Sequence, residues 1–254
     1  MGLRKSAITA VISLLVVSMP AQSAEIWQDF KDYLRQPTQW QEKEWLTLGG
    51  IALLTATAIQ YDESVRSGFA ANQTPTGDQL ASIGNAWGEL DSLGGVTLLS
   101  LYLTGKLNDN PQLVQLSANS FEAVVLSGFT TGAGKVLFGR TRPNATSSSA
   151  DWWQGDKSFP SGHTTMAFAL STVLAESTDN PSFGRRLFFY SLASLTAYSR
   201  MYDQKHWLSD TMAGAAIGIN AGLYVVNRHK QSPAKQQTRM MLLPNGVYFY
   251  RSFG

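Results

Sequence analysis

Six stretches without a single Asp, Glu, Lys or Arg constrain this chain most: residues 45–61, 92–105, 123–134, 158–175, 187–199 and 211–227. Each is long enough for three helical turns, and their apolar residues do not alternate as in strands. Segments of this kind bury their apolar faces against one another in a bundle. Gly-, Pro- and Asn-bearing breaks separate some of them, such as Asn72 to Gly77 and Asn108 to Pro111. A further helix is predicted from Glu25, with Ile26, Phe30, Tyr33 and Leu34 on one face and Pro37 at its end. Lys230 to Arg239 is a polar linker, and MMLLP-NG-VYFYRSF then reads as a hairpin turning at Asn245-Gly246. The predicted fold class is all-α: a helical bundle with a short C-terminal β-hairpin.

Most of these stretches are shorter than the ~20 residues a membrane-spanning helix needs. They are also rich in Gly, Ser and Thr, and the mean hydropathy of the chain is −0.10. The expectation is a periplasmic or exported body, soluble or membrane-associated, with an integral membrane protein as the alternative. Export is read from the N-terminus. Arg4 and Lys5 precede a charge-free apolar run from Ala7 to Met19, and small residues follow at Ala21-Gln22-Ser23, the pattern of a leader over residues 1–23. Loss of Arg4 and Lys5 takes the formal net charge from +2 to 0, so no basic excess attracts nucleic acid. The absence of cysteine excludes disulfides, thiolate metal sites and a cysteine nucleophile. The Trp- and Tyr-bearing segment from Trp27 to Trp45 suits either a bilayer interface or packing onto the bundle.

Chemistry-bearing residues cluster in the second half. Pro160-Ser161-Gly162-His163 stands at the mouth of an apolar helix, and the chain has only three histidines, His163, His206 and His229. A helix start presents unpaired amides and positive potential, which favours an anion. Ser161 is placed to cap, and Gly162 admits a ligand close to the backbone. Upstream, Lys135 and Arg142 are two helical turns apart and project from one face, while Arg140 is out of phase with them. Downstream lie Arg200 and the pair His206 and Asp210, four apart on an expected helix, with the carboxylate in reach of the imidazole. Three cations, an amide-rich helix start and two histidines suit phosphoryl transfer without a metal. No metal site is read, because the histidines and carboxylates lack ligand spacing such as His-x-x-x-His. His229 reads as solvated.

The arrangement Lys135-x6-Arg142-Pro143, Pro160-Ser161-Gly162-His163 and Ser199-Arg200-x5-His206-x3-Asp210 resembles the three-part signature of the type 2 phosphatidic acid phosphatase and vanadium haloperoxidase superfamily. The resemblance covers roughly residues 110 to 229, and residues 25 to 109 match only in helical character. It implies that His206 is a nucleophile forming a phosphohistidine, that Asp210 orients it and that His163 is the general acid. It also implies that Lys135, Arg142, Ser161, Gly162 and Arg200 bind the phosphate, with no cofactor. Four segments are therefore expected: a leader (1–23), an N-terminal helical part (24–109), a phosphatase core (110–229) and a linker with hairpin (230–254). The implied activity is metal-independent hydrolysis of phosphomonoesters or diphosphates, among them phosphatidate, phosphatidylglycerophosphate or polyprenyl diphosphate. The alternatives are a soluble non-specific acid phosphatase, a vanadium-dependent haloperoxidase and a non-catalytic phospholipid-binding protein.

Overall fold

The computed structural model describes residues 20–231, 238–243 and 246–251. Nine helices follow in order among the described residues: α1 (Pro20–Arg35), α2 (Glu42–Ile59), α3 (Asp62–Ala71), α4 (Pro75–Trp87), α5 (Leu93–Leu107), α6 (Pro111–Phe138), α7 (Gly162–Glu176), α8 (Phe183–Tyr202) and α9 (Leu208–Gln231). A 3-10 turn, Gln36–Gln39, holds Pro37 just after α1. Strands β1 (Thr238–Leu243) and β2 (Gly246–Arg251) pair antiparallel as the expected hairpin, with Leu243 opposite Gly246. Asn245 lies outside the described residues, as do residues 1–19 of the expected leader.

Local signals set the helix ends. Asn110 accepts from the amides of Gln112 and Leu113, and Pro111 opens α6, where a missing N–H costs nothing. Thr74 caps α4 through the Gly77 amide, with Pro75 next to it. The break expected from Asn72 to Gly77 is therefore only three residues long, and α3 and α4 are helices that the charge-free stretches did not mark. Gly77 lies inside α4 because α4 packs closely on α8: a Cβ there would sit 2.6 Å from the Tyr202 ring.

Helix α7 is the central element. Ala167, Ala169, Val173 and Ala175 have no exposed surface, and α6, α8 and α9 surround the helix. The four run up-down-up-down, so α6 and α8 end where α7 and α9 begin. That connectivity brings Lys135, His163, Arg200 and Asp210 to one end of the bundle. Along α9, Gly214, Gly218 and Gly222 recur every four residues and face α7; a Cβ on Gly218 would lie 2.4 Å from the Thr165 carbonyl oxygen. Gly218→Val should therefore destabilise the protein by about 1–3 kcal/mol or more through overpacking. A denaturation midpoint equal to that of the unsubstituted protein would contradict this packing.

Candidate active site

Each cluster arrives by a local device. Helix α6 stops at Gly139, whose left-handed conformation (φ 51°) turns the chain away, and its amide closes on the Lys135 carbonyl. Arg142 therefore lies beyond the helix in the loop to α7, not two turns along one helical face as expected. It still approaches Lys135 closely enough to depress it: burial first, then Arg142, pull the Lys135 ammonium down to about 8. Lys135 Nζ donates to the carbonyls of Lys157 (2.6 Å) and Pro160 (2.8 Å), which pins the loop before α7 to α6.

Ser161 occupies the N-cap position of α7 but makes no side-chain cap. Its hydroxyl pairs with Thr164 Oγ1 at 2.9 Å, and its amide donates to the Asp210 carbonyl at 3.0 Å. Capping by Ser161 is thus not observed, and the first-turn amides keep the anion-binding character of an uncapped helix start. Gly162 stands beside Lys135 and has room for a ligand: a Cβ would meet Lys135 Cε only at 3.8 Å.

The third cluster folds around a turn with Gln204 at φ 56°, in which the amides of Lys205 and His206 both bond the Arg200 carbonyl. Helix α9 begins only at Leu208, so His206 precedes it rather than sharing it with Asp210. Asp210 sits in the first turn and accepts from the Trp207 amide at 2.9 Å. His206 Nδ1 lies 3.5 Å from Asp210 Oδ2, an ion-pair distance longer than a formed hydrogen bond. Burial pushes the Asp210 carboxyl up, but His206, Arg140 and Ser158 outweigh it and hold the group below its ordinary range.

The two imidazoles are close neighbours in a field of cations. Burial lowers His163 to about 4, helped in order by Arg200, His206, Arg142 and Lys135. Burial likewise lowers His206 to about 4; Asp210 opposes this, while Lys135 and Arg200 add to it. Imidazole NMR titration should therefore find both neutral until about pH 4. Unfolded histidine titrates near 6.5, so each contributes stability that is intact above about 6.5 and lost as the pH falls through about 4. His229 should do the opposite and stay protonated above 6.5, since its bond to Glu122 raises it against burial. A His206 or His163 midpoint at 6.5 would contradict the packing around the pair.

Several participants were not legible in the motifs. Arg140, out of phase with Lys135 and Arg142 by its spacing, is fully buried and donates to Asp210 Oδ1 and Asp62 Oδ2, both at 2.7 Å. Asn85, near the end of α4, accepts from Arg200 at 2.6 Å, and Arg200 Nε is enclosed without a partner. Glu89 Oε1 is 3.4 Å from His163 Nε2. Asn85 and Glu89 also line an open cleft of about 410 Å³ with Asp78, Ser82, Ser92 and Asp203. His229 is half-buried rather than freely solvated: its Nε2 meets Glu122 Oε2 at 3.0 Å. Asp29, Glu122 and His229 bring ligand-type atoms within 4.8 Å of one another across three helices, a grouping no spacing reveals. Arg228 already pairs with Asp29 and balances it.

The family model described as the PAP2 superfamily matches residues 118–233, which contain all three clusters. This chain carries a PAP2-superfamily domain. The resemblance to the type 2 phosphatidic acid phosphatases therefore holds. The chain is 38% identical over 99 residues to a lipid A 1-phosphatase of Porphyromonas gingivalis, covering 39% of this chain and 20% of that protein. It is 28% identical over 146 residues to lipid phosphate phosphatase 1 of Arabidopsis thaliana, covering 45% of each. The chain thus spans less than half the length of these curated relatives. The fold resembles the crystal structure of Aquifex aeolicus LpxE, with a TM-score of 0.51 and 22% identity over 65% of this chain and 94% of that one.

Proposed function

We propose that the protein is a metal-independent phosphatase acting on lipid phosphate esters or diphosphates through a phosphohistidine on His206. The observation that carries this reading is the convergence of Lys135 and Arg200 on two imidazoles that burial first, and these cations after it, hold neutral, with Arg142 adding to the field at His163. A neutral His206 is a nucleophile. The three cations and the α7 amides neutralise the non-bridging oxygens of a phosphoryl group, with Ser161 and Gly162 lining the α7 mouth. Asp210 keeps the proton of His206 on Nδ1 and offsets the charge gained when Nε2 attacks. His163 is then the acid that protonates the leaving oxygen. Burial and the surrounding cations hold it neutral, so the dianionic phosphate must supply the field that protonates it; phosphate charge offsets the cations that depress it.

Lipid rather than water-soluble substrates are favoured by the apolar surface beside the site. Val136 and Leu137 directly follow Lys135 and are 87% and 65% exposed, and Trp153, packed against the Gly139 turn, is 75% exposed. On α2, Trp45, Leu46, Leu53 and Leu54 also face outward. Tyr33, by contrast, packs in the bundle against Tyr224, so the Trp27–Trp45 segment divides between the core and a membrane-facing surface. Among the described residues, no helix is long and apolar enough to cross a membrane, and we read the protein as an exported body resting on a bilayer. The expected division into a leader (1–23), an N-terminal part (24–109), a phosphatase core (110–229) and a tail (230–254) belongs to the same proposal.

Phosphate release from phosphatidate and a polyprenyl diphosphate, in vesicles and in detergent, tests the proposal against water-soluble esters. Because the cations supply the charge a metal would, activity should survive EDTA and be blocked by vanadate, a mimic of the five-coordinate transition state. Loss of activity in EDTA with recovery on adding zinc or magnesium would overturn the mechanism. Turnover of water-soluble esters alone would overturn the substrate class.

A further inference from the structure

We propose that Arg140 and Asp62 are positioning residues for the nucleophile, extending His206–Asp210 into a four-membered charge chain His206–Asp210–Arg140–Asp62. Arg140 has no exposed surface and spends every guanidinium nitrogen: Nε and Nη2 donate to the Ser149 carbonyl, Nη1 to Asp210 and Ser209, and Nη2 also to Asp62. Its plane lies against Trp152 and Trp207, with the guanidinium carbon 4.3 and 5.2 Å from the ring centroids. Asp62, also without exposed surface, accepts from the Ser209 amide at 2.9 Å and the Ser209 hydroxyl at 2.7 Å. A fork of this shape, fixed on all sides, fixes the carboxylate it grips.

Asp210 then has a defined load. Oδ1 takes Arg140, and Oδ2 takes Ser158 at 2.5 Å and the Trp207 amide at 2.9 Å while facing His206. Arg140 therefore decides two properties of the nucleophile. It sets the plane of the carboxylate that orients the imidazole, and it drains negative charge from that carboxylate, so Asp210 pulls less strongly on the His206 proton. Asp62 moderates the second effect by neutralising part of the Arg140 charge. Asp62 opens α3, outside residues 118–233, so the N-terminal helices become part of the catalytic apparatus rather than a support for it.

The charge chain makes opposite predictions for Arg140 and Asp62, which a purely structural role does not. The charged groups acting on His206 are Asp210 from α9, Lys135 from α6 and Arg200 from α8, with His163 from α7 adjacent. These are common to all variants. Asp62→Asn keeps an acceptor for Arg140 but leaves its charge unbalanced, so the His206 midpoint should fall. Arg140→Met removes the drain on Asp210, so the midpoint should rise. Shifts of about half a unit or more are expected in each direction. In phosphatase assays, kcat should fall about 10- to 100-fold in Arg140→Met with KM little changed, because orientation and not substrate contact is lost. The acid limb of the rate profile should move with the midpoint.

The experiment is an imidazole NMR titration of the full chain and both variants, alongside rate profiles on an aryl phosphate, with circular dichroism as the check on folding. The inference rests on the phosphatase reading for its rate arm, but the titration stands without activity, so the two fail separately. An inactive unsubstituted protein with opposed His206 shifts would sink the phosphatase reading and keep the charge chain. Shifts of the same sign, or none, in folded variants would overturn the chain. If Arg140→Met does not fold, Asp62→Asn decides alone: a downward shift supports the proposal and an unmoved midpoint refutes it.

Discussion

His206→Ala should reduce turnover by roughly 10⁴- to 10⁶-fold, the scale seen when a covalent nucleophile is removed, and should abolish the phosphoenzyme with it. The side chain is enclosed and held neutral, with Asp210 on Nδ1 and the cations Lys135 and Arg200 beside it. Among the described residues no other histidine has a carboxylate one turn away at a helix start. His163 faces Glu89 across 3.4 Å from a partly open position, and His229 is bound to Glu122 away from the phosphate cations. Rapid-quench labelling with radioactive phosphate makes the distinction. An acid-labile phosphoenzyme that survives in His206→Ala and disappears in His163→Ala would reverse the two roles.

His163→Ala should slow esters with poor leaving groups by about 10²- to 10⁴-fold, the usual worth of a general acid, yet leave aryl phosphates within a few-fold of the unsubstituted rate. The reason is chemical: an alkoxide needs a proton to depart, and a phenolate does not. The neutral state of His163 sharpens the expectation. Its proton must be stabilised by the bound phosphate against burial and against Arg200, Arg142 and Lys135, so the rate should depend on the ionisation of the ester as well as on the histidines. The pH limbs then belong to the coupled site and not to single residues. Rates across a series of leaving groups, plotted against leaving-group acidity, give the measurement. Equal losses on alkyl and aryl phosphates would show that His163 binds phosphate without donating a proton.

The helices were legible because their signals are local. The charge-free stretches fall largely within α2, α5, α6, α7, α8 and α9, and the Asn110-Pro111 start of α6 acts as its composition implies. Two errors of register were also local. Gly139 ends α6 before Arg142, and the turn at Gln204 delays α9 until after His206. Both pairs still meet, since a loop can bring side chains together that helical spacing does not. Helices α3 and α4 escaped because their polar residues serve the site and α8: Asp62 is buried on Arg140, and Asp78 accepts from Tyr202.

By itself the sequence determined the helical class, the hairpin and the three clusters whose residue types and order mark a PAP2-superfamily domain, because caps, periodicity and motif chemistry are properties of neighbouring residues. Only the tertiary structure decided which way Arg140 points, that Asp62 joins it across 78 positions, and that Asn85 reaches Arg200 across 115. The same holds for His229 and its hidden carboxylate, and for the neutral state of both site histidines. These depend on which surfaces the packing of α3, α4 and α6–α9 removes from water, and desolvation is a property of the assembled bundle that no short stretch of residues carries.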